Sequence, residues 1–152
     1  MLRRLLGLGA ALALVLPAPA LAGLSSSESA LLRELNRVRA EHGLGQLRYD
    51  PHLERAARAH TREMLRTDVF AHGAFGSRLL LFNVTGSRAG ENIAWGTGAQ
   101  GSARSVVAAW LASPEHRANL LRVSFTRVGV GDLLGSFQRV AHTHVVTADF
   151  AG

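Results

Sequence analysis

His72, Glu91 and His116 carry the kinds of side chain from which a hydrolytic or metal-binding centre is built. Two neutral imidazoles and one carboxylate suit a divalent metal such as zinc and leave a coordination position for water or a ligand. A carboxylate beside an imidazole is equally an acid/base pair. His72 closes Phe70-Ala71-His72. Glu91 lies in Gly90-Glu91-Asn92-Ile93-Ala94, and His116 in Ser113-Pro114-Glu115-His116-Arg117-Ala118-Asn119. Residues this far apart cannot be brought together by spacing alone, so from the residue types they stand equally as unrelated loop residues. No HExxH helix, glycine-rich phosphate loop or Gly-x-Ser-x-Gly elbow is present. Ser113, followed by Pro114, reads as a helix break rather than a nucleophile.

The other histidines, of seven in all, have simpler readings. His42 near a helix end and His52 in a first turn are expected at the surface. His60 falls on an apolar helix stripe and reads as a core histidine. His142 and His144 flank Thr143 on an expected strand and would share one face. They could ligate a metal, although a polar strand face is the plainer reading.

The positioning elements follow from local signals. Ser25 and Glu28 have capping-box spacing, Leu31, Leu32, Leu35 and Val38 form an apolar face, and Gly43 marks a stop. Asp50-Pro51 opens a second helix, as N-cap and first helical residue. Its stripe is Leu53, Ala57, His60 and Met64, with Arg55, Arg58, Arg62 and Arg66 on the opposite, solvated side. Residues 77–82 suggest a short helix. Ser102 caps a helix carrying Val106, Val107, Trp110 and Leu111; Ser113-Pro114 interrupts it and residues 115–121 resume. After Phe125 the β-branched and aromatic residues predict two or three antiparallel strands, with a turn at Leu134-Gly135-Ser136. Helices first and strands late predict an α+β sandwich.

Composition limits the function classes. Arg3-Arg4, the apolar run over residues 5–16 and Ala20-Leu21-Ala22 read as a secretory signal cleaved after Ala22. The expected division is a signal peptide over 1–22 and one domain over 23–152, secreted or periplasmic and not membrane-spanning. The net charge of +6 falls to +4 once Arg3 and Arg4 are removed. That permits attraction to anionic envelope polymers or lipid headgroups, but it is not the clustered footprint of a nucleic-acid binder. There is no cysteine. This excludes disulfides, a thiol nucleophile, cysteine metal ligands and a lipid anchor on cysteine. Asn83-Val84-Thr85 matches a glycosylation sequon of the kind that arises by chance.

Asn36-x-x-Arg39-x-x-x-Gly43-Leu44-x-x-Leu47, Phe70-Ala71-His72, Gly90-Glu91-Asn92-Ile93-Ala94, Trp110-x-x-Ser113-Pro114-x-His116-Arg117-x-Asn119-Leu120-Leu121 and Gly129-Val130-Gly131 occur in that order. Together they resemble a bacterial member of the CAP superfamily over residues 29–150. The resemblance implies a three-layer α-β-α sandwich with a large cleft. Two histidines and two glutamates line that cleft and in some members hold a divalent metal such as zinc. Residue by residue, these correspond to His72, Glu91 and His116. The second glutamate's usual place is Ser113 here, and Glu115 is the neighbouring candidate. Arg117 and Asn119 are expected to hold their loop by hydrogen bonds. The leading expectation is an exported binding domain, non-enzymatic or weakly active. Its His/Glu-lined cleft would take a divalent metal, Zn²⁺ above all, and a lipid, peptide or anionic envelope polymer. The alternatives are a metal-dependent or Glu/His-assisted hydrolase of peptide or envelope substrates, using Glu91, His72 and His116, and an envelope interaction module with a vestigial cleft.

Overall fold

The computed structural model describes residues 23–152. The expected signal segment, residues 1–22, lies outside the described residues. Helix α1 spans Ser26–Glu41, and its capping box is complete. Glu28 N–H donates to Ser25 Oγ at 3.2 Å and Ser25 N–H to Glu28 Oε2 at 2.7 Å. Gly43, at φ 70°, turns the chain out of the helix. After the two-residue strand β1 (Arg48–Tyr49), Asp50 accepts from the N–H groups of His52 and Leu53 and starts α2 (Pro51–Thr67). Then follow α3 (Phe75–Leu81), β2 (Ala89–Thr97), a 3₁₀ turn (Gly98–Gly101), α4 (Ala103–Ala112) and α5 (Pro114–Leu120). Strands β3 (Arg127–Phe137) and β4 (Val140–Ala151) end the chain.

The four strands form one sheet in the order β1-β3-β4-β2, with β2 at an edge. β3 and β2 pair antiparallel with β4, and β1 runs parallel to β3. Side-chain alternation divides the core. Val128, Val130, Val146, Ala148 and Phe150 pack on one face against Leu31, Leu35 and Val38 of α1 and Val107 and Trp110 of α4. Ile93 and Val145 meet Met64 of α2 on the other. The chain is therefore a helix-sheet-helix sandwich of the expected α-β-α type.

Gly129 and Gly131 lie on the α2 face, one on either side of Val130. A Cβ on Gly129 would overlap the backbone of Leu53 and Glu54, and one on Gly131 would stand 2.8 Å from Arg58 N and from Thr61 Oγ1. The Gly-Val-Gly pattern thus lets α2 lie directly on β3 while valine fills the opposite core.

The structure corrects three expectations. Gly90-Glu91-Asn92-Ile93-Ala94 belongs to a strand rather than a loop. The β3–β4 turn is at Gln138-Arg139, both at positive φ (50° and 64°), not at Leu134-Gly135-Ser136. Asp68 holds that turn, accepting from Gln138 N–H at 2.5 Å. Arg58 leaves the solvated arginine stripe: it pairs with Glu28 and Glu54, both buried.

Candidate functional site

The edge strand β2 is where the motif segments carrying His72, Glu91 and His116 converge in space. Glu91 registers directly opposite Asp149 of β4, and both point to the α2 side of the sheet. Asn92, the next residue, points to the other side and donates through Nδ2 to the carbonyl of His116 at 3.0 Å. His72 arrives from the loop after α2, and His116 from α5 on the opposite layer. The candidate site therefore straddles a sheet edge, with one histidine from each helical layer and Glu91 between them.

Glu91 is the buried centre. Its side chain is 2% exposed, whereas that of His72 is 54% exposed. His72 Nδ1 lies 2.7 Å from Glu91 Oε1. With Glu91 ionised the imidazole is the donor, which leaves His72 Nε2 free. Glu91 Oε2 is taken by the guanidinium of Arg78, itself only 8% exposed. A second Arg78 nitrogen reaches the His72 carbonyl at 3.3 Å. Arg78 thus ties the His72 loop to the carboxylate beneath it.

Asp149 is fully buried beside this pair, 3.9 Å from Arg78, and neither of its oxygens accepts a hydrogen bond. Two buried carboxyl groups share one guanidinium. Burial, and then the Glu91 charge, push the Asp149 carboxyl well above the usual range. Burial raises Glu91 to about 7 against the pull of Arg78. The two carboxyls can hydrogen-bond each other only when one carries a proton, so one proton satisfies both geometry and charge. His60 of α2 lies below them, 2% exposed, with Nε2 2.9 Å from the Ala71 carbonyl and 3.9 Å from Glu91 Oε2. Burial and the nearby Arg78 lower its pKa, which keeps it neutral. It is the core histidine the helix stripe predicts, with Nδ1 unpartnered.

His116 is held by the Ser-Pro break. Its Nδ1 lies 2.9 Å from Ser113 Oγ, and burial followed by the His72 charge lowers its pKa. Asn119 donates to the Glu91 carbonyl and to Asn92 Oδ1, both at 3.1 Å, locking α5 to the β2 edge. Gly90 makes room for it, since a Cβ there would stand 2.7 Å from Asn119 Oδ1. Asn119 thus holds its segment as expected, while Arg117 is exposed. Glu115 is exposed on α5 and acts on His116 only through its charge, which opposes the lowering.

The arrangement brings His72 and Glu91 together but leaves His116 on the far side of the strand edge. Among the described residues no three His, Asp or Glu side chains are grouped to hold a metal ion. Both Glu91 oxygens are engaged, by Arg78 and His72, so the donor set fits a divalent metal only if Arg78 withdraws. His142 and His144 do not form a pair: His142 sits at φ 52° and is exposed, and His144 contacts Asp132 at 2.8 Å. Sequence reasoning missed Arg78 and Asp149. An arginine ahead of Leu79-Leu80-Leu81, and an aspartate at an inward position of the apolar Val145–Phe150 stretch, were the available signals.

Known proteins resemble this chain in sequence and fold. Residues 32–150 match the CAP family, described as the cysteine-rich secretory protein family. The uncharacterized protein YkwD of Bacillus subtilis is 36% identical over 112 residues, covering 70% of this chain and 42% of YkwD. An extracellular SCP-domain protein of Bacillus anthracis superposes with a TM-score of 0.66 at 30% identity, over 82% of this chain and 40% of that one. The chain thus spans less than half the length of either Bacillus protein. An outer surface protein of Borrelia burgdorferi shares the fold, with a TM-score of 0.68 at 22% identity over 80% of this chain and 89% of its own.

Proposed function

The chain belongs to the CAP family, and on that premise we propose that it is an exported, non-enzymatic binding domain whose ligand sits at the β2 edge between His72 and His116. One observation carries this reading. Glu91, the group a hydrolase would need free to activate water, is buried and committed on both oxygens. What is left available instead is the exposed imidazole of His72 and the half-buried one of His116, each with its Nδ1 already bonded. Their Nε2 atoms are fitted to hydrogen-bond polar groups of a bound molecule. With Glu91 neutralised by Arg78, the floor does not repel anions, and the ligand class is a lipid headgroup, a peptide or an anionic envelope polymer. Two features support action outside the cytoplasm: the signal pattern over residues 1–22 and the extracellular relative in Bacillus anthracis. Among the described residues no helix is long and apolar enough to cross a membrane.

The test compares wild type with His72→Ala and His116→Ala, with circular dichroism confirming the fold of each. Each protein is incubated with an envelope lipid extract, a cell-wall polymer preparation and a peptide mixture. Retention of one of these by wild type, weakened in both variants, is the expected result. Turnover of any of them that disappears in both variants establishes the hydrolase instead.

A further inference from the structure

We propose that Arg78 is the resident cation of the cleft, and that its guanidinium holds the carboxylate a divalent metal would need, so that zinc enters this site only when Arg78 is replaced. The ion pair is built in, not incidental. Arg78 is buried on α3, its ring-side neighbour Phe75 lies under the guanidinium at 5.5 Å, and it bonds both Glu91 and the His72 carbonyl. A guanidinium is always charged, so Arg78 does not deprotonate to admit a metal, and its second nitrogen is held by the His72 carbonyl. A zinc ion bound by His72 and Glu91 would have to displace the Arg78 contact with Glu91 and leave the buried guanidinium only the Asp149 carboxyl, 3.9 Å away. Removing one partner from a buried ion pair is costly because the other charge stays unpaired. Zinc would also have to take the Glu91 oxygen now bonded to His72 Nδ1, or turn that ring. Both histidine Nε2 atoms are free, so Glu91 is the ligand in short supply.

The inference rests on the reading of this edge as the functional cleft, but its test needs no organic ligand. Failure to find a ligand leaves it standing. Zinc binding to the wild-type cleft overturns it and leaves the cleft reading intact.

Zinc chloride is titrated by calorimetry into wild type, Arg78→Gln, Arg78→Lys and the Arg78→Gln/His72→Ala double variant. Cleft binding is the heat that disappears with His72. Arg78→Gln is expected to show a saturable zinc-binding heat that wild type lacks and that the double variant loses. Arg78→Lys keeps the cation and is expected to behave as wild type. A folded Arg78→Gln that binds no better than wild type refutes the proposal. Should Arg78→Gln not fold, wild type and His72→Ala decide the matter. Saturable wild-type binding lost in His72→Ala refutes the proposal, and identical titrations of the two uphold it.

Discussion

Replacing Asp149 with asparagine reverses the usual sign of a buried-charge substitution as pH rises. Asp149 and Glu91 face each other across the β2–β4 register with one guanidinium between them. In the native state one proton stays on the pair at a pH where the unfolded chain has lost it. A carboxyl whose folded pKa is raised contributes stability below its unfolded value, and that contribution is lost as pH rises through the folded value. Burial raises the Asp149 carboxyl well above the usual aspartate range, and each pH unit between its unfolded and folded values corresponds to ~1.4 kcal/mol. Asparagine copies the protonated aspartic acid in shape and donates to Glu91 without titrating. Relative to wild type the variant is expected to gain stability steadily as pH rises from about 5 to 8, by up to ~1.4 kcal/mol per pH unit. Urea unfolding of both proteins from about pH 5 to 8 measures this, because the difference between them cancels every other titrating group. Stability curves that stay parallel across that range refute the shared-proton account.

Two further predictions test the frame around the cleft. Asp50→Ala removes the α2 N-cap and the partner of Arg127, which donates to Asp50 Oδ2 at 2.6 Å; it is expected to lower stability by about 1–2 kcal/mol at neutral pH. Burial alone would raise the Asp50 pKa, but hydrogen bonds from His52, Leu53 and Arg127 outweigh it and lower it. Its contribution is therefore present above the ordinary aspartate pKa and lost as pH falls through the lowered one, so Asp50→Ala and wild type converge in acid unfolding monitored by circular dichroism. Gly129→Ala forces α2 off β3 and is expected to lower stability by about 3 kcal/mol in urea melts, against less than about 1 for an alanine at Gly45, whose added Cβ meets nothing within 4 Å.

Whatever depended on neighbours in the chain was legible. The Ser25–Glu28 capping box, the Asp50-Pro51 start, the buried stripe of α2 and the Ser102 cap all appear where the residue types place them. What depended on distant partners was not. Gly90-Glu91-Asn92 has poor strand propensity and becomes a strand because β4, far along the chain, supplies the ladder. The Gln138-Arg139 turn lacks the glycine or asparagine that marks such turns, because Asp68, 70 residues earlier in the chain, stabilises the positive φ angles. The site divides the same way. His72, Glu91 and His116 were legible through family resemblance, whereas Arg78 and Asp149 acquire meaning only once the sheet places them against Glu91.

The same tertiary logic explains why the signature reaches well beyond the cleft. Asn36 and Arg39 of α1 touch neither His72 nor Glu91. Asn36 closes the loop after α1 by exchanging hydrogen bonds with the backbone of Leu47, at 2.7 and 3.1 Å. Arg39, 2% exposed, donates to the carbonyls of Gly45, Leu120, Arg122 and Phe125. Leu120 ends α5, where the helix dipole leaves carbonyl oxygens unpaired and favours a cation. In a chain without cysteine, one buried guanidinium thus pins the C-terminal end of α5, while Asn119 and Asn92 pin the helix to the sheet edge. His116 lies between those two anchors. Two buried arginines therefore set the cleft from opposite layers. Arg39 fixes the helix that carries His116, and Arg78 fixes the loop that carries His72.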